Sequence, residues 1–312
     1  MQISQVKLHK GREQSILRRH PWVFSRAIQS PINDLLDGDL VKVMDHRERI
    51  IGVGHFQNSS LSIRMLAFED VAIDELFWKT KLQEALAYRL SLDFIKQGIT
   101  NAFRLVHGEG DQLPGLIIDI YDTTAVMQAH SIGMHKARHL IADSLMHLDG
   151  LQINAVYCKS EDALPSAYAK EVKDEWLVGN PTENLIVREG GIMFGIDVVT
   201  GQKTGFFLDQ RNNRELVRQH AHGKSVLNCF CYTGGFSLYA LEGGATGVIS
   251  VDTSAGALDI LDNNLKLNVN SGTHQSIKEN VLTYLTQSDE QYDIVIVDPP
   301  AFAKTLSKRH NA

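Results

Sequence analysis

The residues best placed to do chemistry lie in Val226-Leu227-Asn228-Cys229-Phe230-Cys231-Tyr232-Thr233-Gly234-Gly235-Phe236. A short apolar run ends there in a glycine pair, and an apolar helical pattern (Phe236, Leu238, Tyr239, Leu241) follows. Glycine lets a ligand approach the backbone closely, and the first turn of a helix offers unpaired N–H groups, so this spacing suits a nucleotide-like ligand. Two later features extend the pattern. Asp252 ends the apolar run Gly247–Val251, where a carboxylate can accept hydrogen bonds from a ribose diol. Asp298-Pro299-Pro300 ends a further run, Ile294–Val297. A glycine turn, an acid after strand two and an acid after strand four describe a doubly wound sheet with its ligand at the carboxyl ends of the strands.

A dinucleotide is disfavoured as that ligand, and a metabolic oxidoreductase with it. A pyrophosphate site wants G-x-G-x-x-G, and Asn228 to Phe236 offers one adjacent glycine pair. Asn-x-Phe-x-Tyr-Thr-Gly-Gly-Phe resembles instead the S-adenosylmethionine (SAM) loop of class I methyltransferases, whose ligand has no phosphates. The resemblance implies SAM as cofactor. It implies contacts to SAM from Asn228, Phe230, Tyr232, Thr233, Gly234, Gly235, Phe236, Asp252 and Asp298, and places Asn280 beside the adenine.

These residues need a frame. From Ser225 the periodicity reads βαβαβαβ: strands at Val226–Asn228, Val248–Asp252, Gln275–Lys278 (weak) and Ile294–Asp298, with helices at Phe236–Leu241 and Ala257–Asn268. Upstream, Ile186–Arg188 and Ile192–Phe194 flank Glu189-Gly190-Gly191 as a hairpin. Between hairpin and sheet lies Gly201-Gln202-Lys203-Thr204-Gly205-Phe206-Phe207-Leu208-Asp209-Gln210-Arg211. Its Gly-Gln-Lys-Thr start is no phosphate loop, because Gln202 separates glycine from lysine and the strand–loop–helix context is lacking. Asp209 is a candidate helix N-cap, and the aromatic pair a candidate cover for the ligand.

Composition sets outer limits. The chain has 312 residues, long enough for two or three domains, with 43% hydrophobic and 22% charged residues. The net charge of −6 does not advertise nucleic-acid binding. Residues 1–70, however, carry ten Lys/Arg against eight Asp/Glu, so the excess of acid lies entirely downstream. Three cysteines argue against a disulfide framework and for a reducing compartment. The first residues have no apolar signal core and no 18-residue apolar run occurs, so a soluble cytoplasmic protein without membrane contact is expected.

The first thirty residues are the most basic: Lys7, Lys10, Arg12, Arg18, Arg19 and Arg26 against Glu13, with Trp22 and Phe24 interleaved. Cations beside flat aromatic faces suit phosphate contact and base stacking on RNA, though a solvated terminus with Trp22 in a core has the same composition. Period-two runs at Leu40–Val43, Ile50–Val53 and Leu61–Met65 then describe a small β-barrel-like domain ending near Phe68. Lys10-Gly11-Arg12-Glu13 and Leu17-Arg18-Arg19-His20-Pro21-Trp22-Val23-Phe24-Ser25 resemble the amino-terminal PUA domain of the ribosomal RNA large-subunit methyltransferase I family. That resemblance implies RNA contacts from Lys10, Arg12, Arg18, Arg19 and Trp22. The Lys-Thr-Gly-Phe-Phe-Leu-Asp-Gln-Arg string resembles the segment preceding the family's SAM fold and implies that Gln210 lines the methyl-donor pocket. Between them the family has a small α/β linking domain. A helix is expected at Ile73–Lys96 (apolar face Leu76, Phe77, Leu82, Leu86, Leu90, Phe94), strands at Phe103–His107, Leu116–Tyr121 and Thr124–Gln128, and a second helix at Ile132–Leu148. His135 and His139 have metal-ligand spacing but no third ligand, and Cys158 reads as a buried strand residue. The expected fold is α/β: a PUA-like β-barrel (1–70), an α/β linking domain (71–190) and a partial doubly wound class I SAM-methyltransferase sheet (191–312).

The resemblance also bears on the reaction. Amino-methylating enzymes place an aromatic directly after Asp/Asn-Pro-Pro, whereas Ala301 follows Pro300 here and Phe302 comes one residue late. That favours methylation of cytosine C5 in 23S ribosomal RNA, with Asp298 on the cytosine edge. A cysteine thiolate would add at C6 of an unstacked base. Cys229 and Cys231 lie inside the SAM loop and read as packing residues. The family's nucleophile lies in a Ser-Cys-Ser string after a fifth strand, so a nucleophile beyond Ala312, a truncated sheet with an uncovered edge and self-association as a homodimer are expected. Two alternatives stand beside this reading: exocyclic-amino methylation of guanine or adenine in RNA, and a non-catalytic SAM- and RNA-binding fragment.

Overall fold

A computed structural model describes residues 3–92, 95, 98–179, 184–269 and 272–300. Phe94, Ala301, Phe302 and the tail to Ala312, on which several expectations rested, lie outside the described residues. The chain forms two compact units. The first comprises Met1–Lys96, Asn101–Leu185 and Asp197–Phe206; the second comprises Gln97–Thr100, Ile186–Ile196 and Phe207–Ala312. No helix among the described residues is long and apolar enough to cross a membrane.

The first unit opens with β1 (Ser4–Lys7), α1 (Gln14–Leu17), β2 (Trp22–Phe24), β3 (Leu40–Met44), β4 (Ile50–Phe56) and β5 (Leu61–Ala67). They make one sheet in the order β1-β3-β4-β5-β2, parallel at β1–β3 and antiparallel elsewhere. Alternate residues Val41, Val43, Ile63 and Met65 are buried in its core, as period-two patterning requires.

Next come α2 (Glu75–Ser91), β6 (Ala102–His107), β7 (Leu116–Tyr121), β8 (Thr124–Ala129), α3 (Ile132–Lys136), α4 (Arg138–Met146), β9 (Ala155–Cys158), α5 (Ser166–Ala169) and β10 (Glu175–Val178). The strands form a second sheet in the order β10-β9-β8-β7-β6. Asp74 caps α2 by accepting the Phe77 N–H. The face α2 buries is Trp78, Leu82, Ala85, Leu86 and Arg89; Leu76 and Leu90, expected inside, are exposed. Trp78 is the larger hydrophobe, and turning it inward carries Leu76, two residues away, to the other side. The expected single helix over 132–148 is two helices that meet at Ala137. Cys158 is a buried strand residue whose thiol burial pushes up to about 11. Among the described residues no cluster of three metal-ligating side chains occurs, and the His135 ring is engaged with the Tyr168 hydroxyl at 3.1 Å.

The second unit runs β11 (Ile186–Glu189), β12 (Ile192–Gly195), α6 (Arg211–His220), β13 (Ser225–Cys229), α7 (Gly235–Glu242), β14 (Gly247–Asp252), α8 (Ala255–Leu267), β15 (Thr273–Lys278), α9 (Val281–Gln287) and β16 (Ile294–Val297). β13 to β16 form an all-parallel sheet in the order β15-β14-β13-β16, the arrangement of a doubly wound fold. Asp209, expected as an N-cap, sits inside a 3-10 turn (Leu208–Gln210), and Gln210 holds the cap position of α6 without a side-chain bond. Glu189, fully buried, anchors this unit. It accepts two bonds from Arg214 at 2.8 and 2.9 Å and one from the Tyr239 hydroxyl at 3.1 Å, joining the β11–β12 hairpin to α6 and α7.

Two predictions follow from these burials. Arg214→Met removes the closer of two guanidinium partners of the buried Glu189 carboxylate and leaves Arg211 at 3.5 Å, which should cost the second unit up to about 3 kcal/mol, read as a lowered urea midpoint. In the first unit, burial, with Lys136 and then Arg64 nearby, holds the His55 ring down at about 4. The unfolded chain therefore binds a proton there between its ordinary value and about 4, and the folded chain does not. Stability should be intact at neutral pH and fall as the pH drops through that window, by about 3 kcal/mol at most. His55→Gln should flatten this limb of a stability–pH curve.

Candidate functional site

Parallel register carries the site residues to one end of the sheet. Cys229 is level with Val251 and Val297, and Asp252 with Lys278. Asp252 therefore ends its strand, and Phe230, Asn280 and Asp298 emerge just past the carboxyl ends of theirs. The loop after β13 turns back through Phe230 (φ 57°), Tyr232 (φ 50°) and Gly234 (φ 80°). Left-handed backbone at two non-glycine residues is strained and persists only where contacts hold it.

Asp252 supplies those contacts. Its Oδ2 accepts the Tyr232 N–H and its Oδ1 the Ser254 N–H, each at 2.9 Å, which locks the loop after β13 to the start of α8. A carboxylate has about four lone-pair sites, so each oxygen keeps capacity for a hydroxyl of a ligand. The loop is braced from below as well. Asn264 in α8 donates to the Thr233 carbonyl at 3.2 Å and accepts the Gly195 N–H at 2.7 Å. Gly234 packs so tightly that a Cβ would stand 2.5 Å from Leu261 Cγ.

The other expected residues fall into three settings. Asn228 is buried, and its amide heads a chain Asn228–Ser237–Ser250–His274 with links of 2.8, 2.7 and 2.8 Å. Thr233 is also buried, while Phe230, Tyr232, Gly235 and Phe236 are partly exposed. Asn280 caps α9, its Oδ1 accepting the Leu282 and Thr283 N–H groups, which leaves the side-chain amide N–H groups as its donors. Gln210 and Asp298 are brought together: Gln210 Nε2 lies 3.4 Å from Asp298 Oδ2, and Asn213 donates to Gln210 Oε1 at 2.6 Å. The aromatic pair divides. Phe206 is buried in the first unit, whereas Phe207 lies edge-on to Tyr232 at 5.5 Å. Cys229 and Cys231 are buried, and burial raises both thiols, Cys231 further by the nearby Asp252 charge. Neither is primed as a nucleophile.

Asn213 and Asn264 were not singled out from sequence. A helical Asn on a buried face is the one signal that marks Asn264.

A family model described as S-adenosylmethionine-dependent methyltransferase matches residues 104–308, and one for a PUA-like domain matches residues 6–68. Ribosomal RNA large subunit methyltransferase I of Aeromonas hydrophila is 37% identical over 311 residues, covering 97% of this chain and 77% of the relative. The protein of the same name from Tolumonas auensis is 38% identical over 311 residues, with the same coverage. The chain belongs to the ribosomal RNA large subunit methyltransferase I family of SAM-dependent methyltransferases. Two solved structures share the fold of this methyltransferase at a TM-score of 0.77. One is described as a SAM-dependent methyltransferase from Streptococcus mutans (24% identity, 96% of this chain, 77% of that one). The other is a methyltransferase complexed with SAH (23% identity, 97% of this chain, 77% of that one).

The cofactor of this methyltransferase is SAM, and the site offers it a carboxylate with spare lone pairs beside a tightly packed glycine loop. Gly234→Ala should fail twice, on its positive φ and on Leu261. The expected outcome is a loss of SAM affinity on the order of tenfold or more, with a fall in stability of about 1–3 kcal/mol, read by calorimetry and thermal unfolding. Unchanged binding would show that the loop adapts.

Proposed function

We propose that this protein methylates C5 of a cytosine in 23S ribosomal RNA, and that it works in the cytoplasm. The observation that carries the reading is the Asp252 carboxylate, braced by the Tyr232 and Ser254 N–H groups beside a glycine loop, in a chain of this family. In the proposed division of labour, residues 1–70 bind RNA through Lys10, Arg12, Arg18, Arg19 and Trp22. Residues 71–190 link, and residues 191–312 carry out transfer. Asp252 holds the ribose diol, Asn280 meets the adenine through its amide, and Asn228, Phe230, Tyr232, Thr233, Gly234, Gly235, Phe236 and Gln210 shape the donor pocket. When bound, SAM supplies an electrophilic methyl group.

Cytosine C5 is a weak nucleophile, so a thiolate must first add at C6 of an extruded base; C5 then takes the methyl group from SAM, leaving S-adenosylhomocysteine, and loss of the C5 proton expels the thiolate. Asp298, 3.4 Å from the Gln210 amide, is proposed to hold the cytosine N3/N4 edge and so stabilise that adduct. Cys158, Cys229 and Cys231 are all buried with raised thiol values, so none of the three is proposed for the addition.

The test has two parts. Asp252→Ala should reduce SAM affinity by about 10- to 100-fold in calorimetry, since a charge-assisted bond to a ligand contributes roughly 1.5–3 kcal/mol. Unmodified 23S RNA incubated with the protein and SAM is then digested for nucleoside mass spectrometry. 5-Methylcytidine supports the reading, and an N-methylated purine would replace it with amino methylation. No methylated nucleoside, with SAM still bound, would leave a SAM- and RNA-binding module.

A further inference from the structure

The first unit contains a pocket of about 270 Å³ lined by Trp22, Leu61, Arg64, Gly108, Glu109, Gly115, Leu116, Ile117 and His130. It lies where β2 and β5 of the PUA-like sheet meet β7 and the loops of the second sheet. Arg64 is its unusual member. The guanidinium is partly buried, the Glu109 carboxylate is the charge that opposes its desolvation without a direct ion pair among the described residues, and its Nη1 is enclosed without a hydrogen-bond partner. A buried donor is costly unless bonded, so this arrangement is short of one acceptor at Arg64.

The pocket carries more than charge. Trp22 Nε1 donates to Glu109 Oε1 at 2.9 Å, which fixes the indole and commits one oxygen of the lining carboxylate. Gly108 (φ 52°) and Gly115 (φ 82°) bring bare backbone to the wall. His130 is exposed at the rim, yet the protein around its ring, then the Arg104 charge, holds it below the ordinary value. Lys203 and Arg64 push the same way, and Glu109 opposes them. Arg104 is already satisfied by Asp119, at 2.8 and 2.9 Å. Arg64 is thus the cation left for a ligand. An indole, an aliphatic wall, a carboxylate and a lone guanidinium together suit a flat base joined to a phosphate; a free anion would leave the apolar wall unused. The volume lies just below the ~300–1,000 Å³ of pockets for drug-sized ligands, which limits the guest to one nucleotide.

We propose that this pocket takes one unpaired nucleotide of the RNA substrate, with Trp22 against the base, Arg64 on the phosphate and Glu109 at the base edge. It is a holding site for the strand, separate from the loop that binds the methyl donor, and it rests on the RNA reading given above. The basic residues of the first turn, Lys10, Arg12 and Arg18, supply sequence-independent attraction; the pocket adds a fixed point.

The test is anisotropy with a labelled single-stranded RNA decamer and the full chain over a KCl series, with calorimetric SAM binding measured in parallel as a check on folding. Arg64→Gln should weaken RNA binding on the order of tenfold and lower the salt slope by about 0.7, the loss of one phosphate contact on a single strand. Leu61→Glu keeps Arg64 but places a carboxylate in the same lining, where it competes with a phosphate for the guanidinium, and should weaken binding as well. Uridine monophosphate should compete with the decamer better than inorganic phosphate does. Wild-type binding with an unchanged Kd and slope in both variants would overturn the pocket and leave the RNA reading standing. Equal competition by the two anions would overturn the nucleotide assignment. An absence of wild-type RNA binding would bring down the RNA reading and the pocket together.

Discussion

The carboxylate of Asp252 is the constraint on which the second unit's working end depends. A loop that passes through positive φ at Phe230, Tyr232 and Gly234 has no reason to hold its shape alone. Asp252 receives the Tyr232 N–H on one oxygen and the Ser254 N–H on the other, so one side chain fixes the exits of two adjacent strands. Both bonds are charge-assisted, roughly twice as strong as neutral ones, which offsets the backbone strain. The group that would meet a ribose is therefore also the one that shapes the loop beside it.

Two polar networks hold α7, the helix that follows the loop. On one side, Ser237 joins the buried chain from Asn228 to His274. Elsewhere on the helix Tyr239 donates to Glu189, which Arg214 neutralises. Each network is buried and extensively hydrogen-bonded, which favours one arrangement over many similar packings. A binding site held by such a surrounding shell is preorganised, so less ordering is required when a ligand arrives. The parallel sheet makes the same contribution at larger scale, because a level register delivers Asp252 and Asp298 to one rim.

Much of this was legible beforehand. The strands of the second unit were read to within about two residues at most ends, since β13, β14 and β16 carry nearly continuous Val, Ile and Leu; β15, polar and partly exposed, gave the weak signal. The glycine pair, the acid after strand two and Asp-Pro-Pro fall on one rim of the sheet. Helices were harder. In α2 apolar residues occur on more than one face, and only packing reveals that Trp78 rather than Leu76 and Leu90 is inside. The break at Ala137 has no glycine or proline to announce it. Asp209 has the composition of a cap but lies one position too early, in a 3-10 turn that precedes α6.

The sequence by itself determined the alternation of strands and helices in the second unit and the glycine turn after its first strand, because periodicity and backbone sterics are local. Tertiary structure alone decided which partners those residues meet. Gln210 finds Asp298 across 88 positions, Asn264 reaches back 69 positions to Gly195, and Trp22 reaches Glu109 across 87, in the pocket where Arg64 Nη1 has no hydrogen-bond partner. Such pairings depend on strand register and on which helix face turns inward. Both are set by the burial of the whole core, and no spacing along the chain records them.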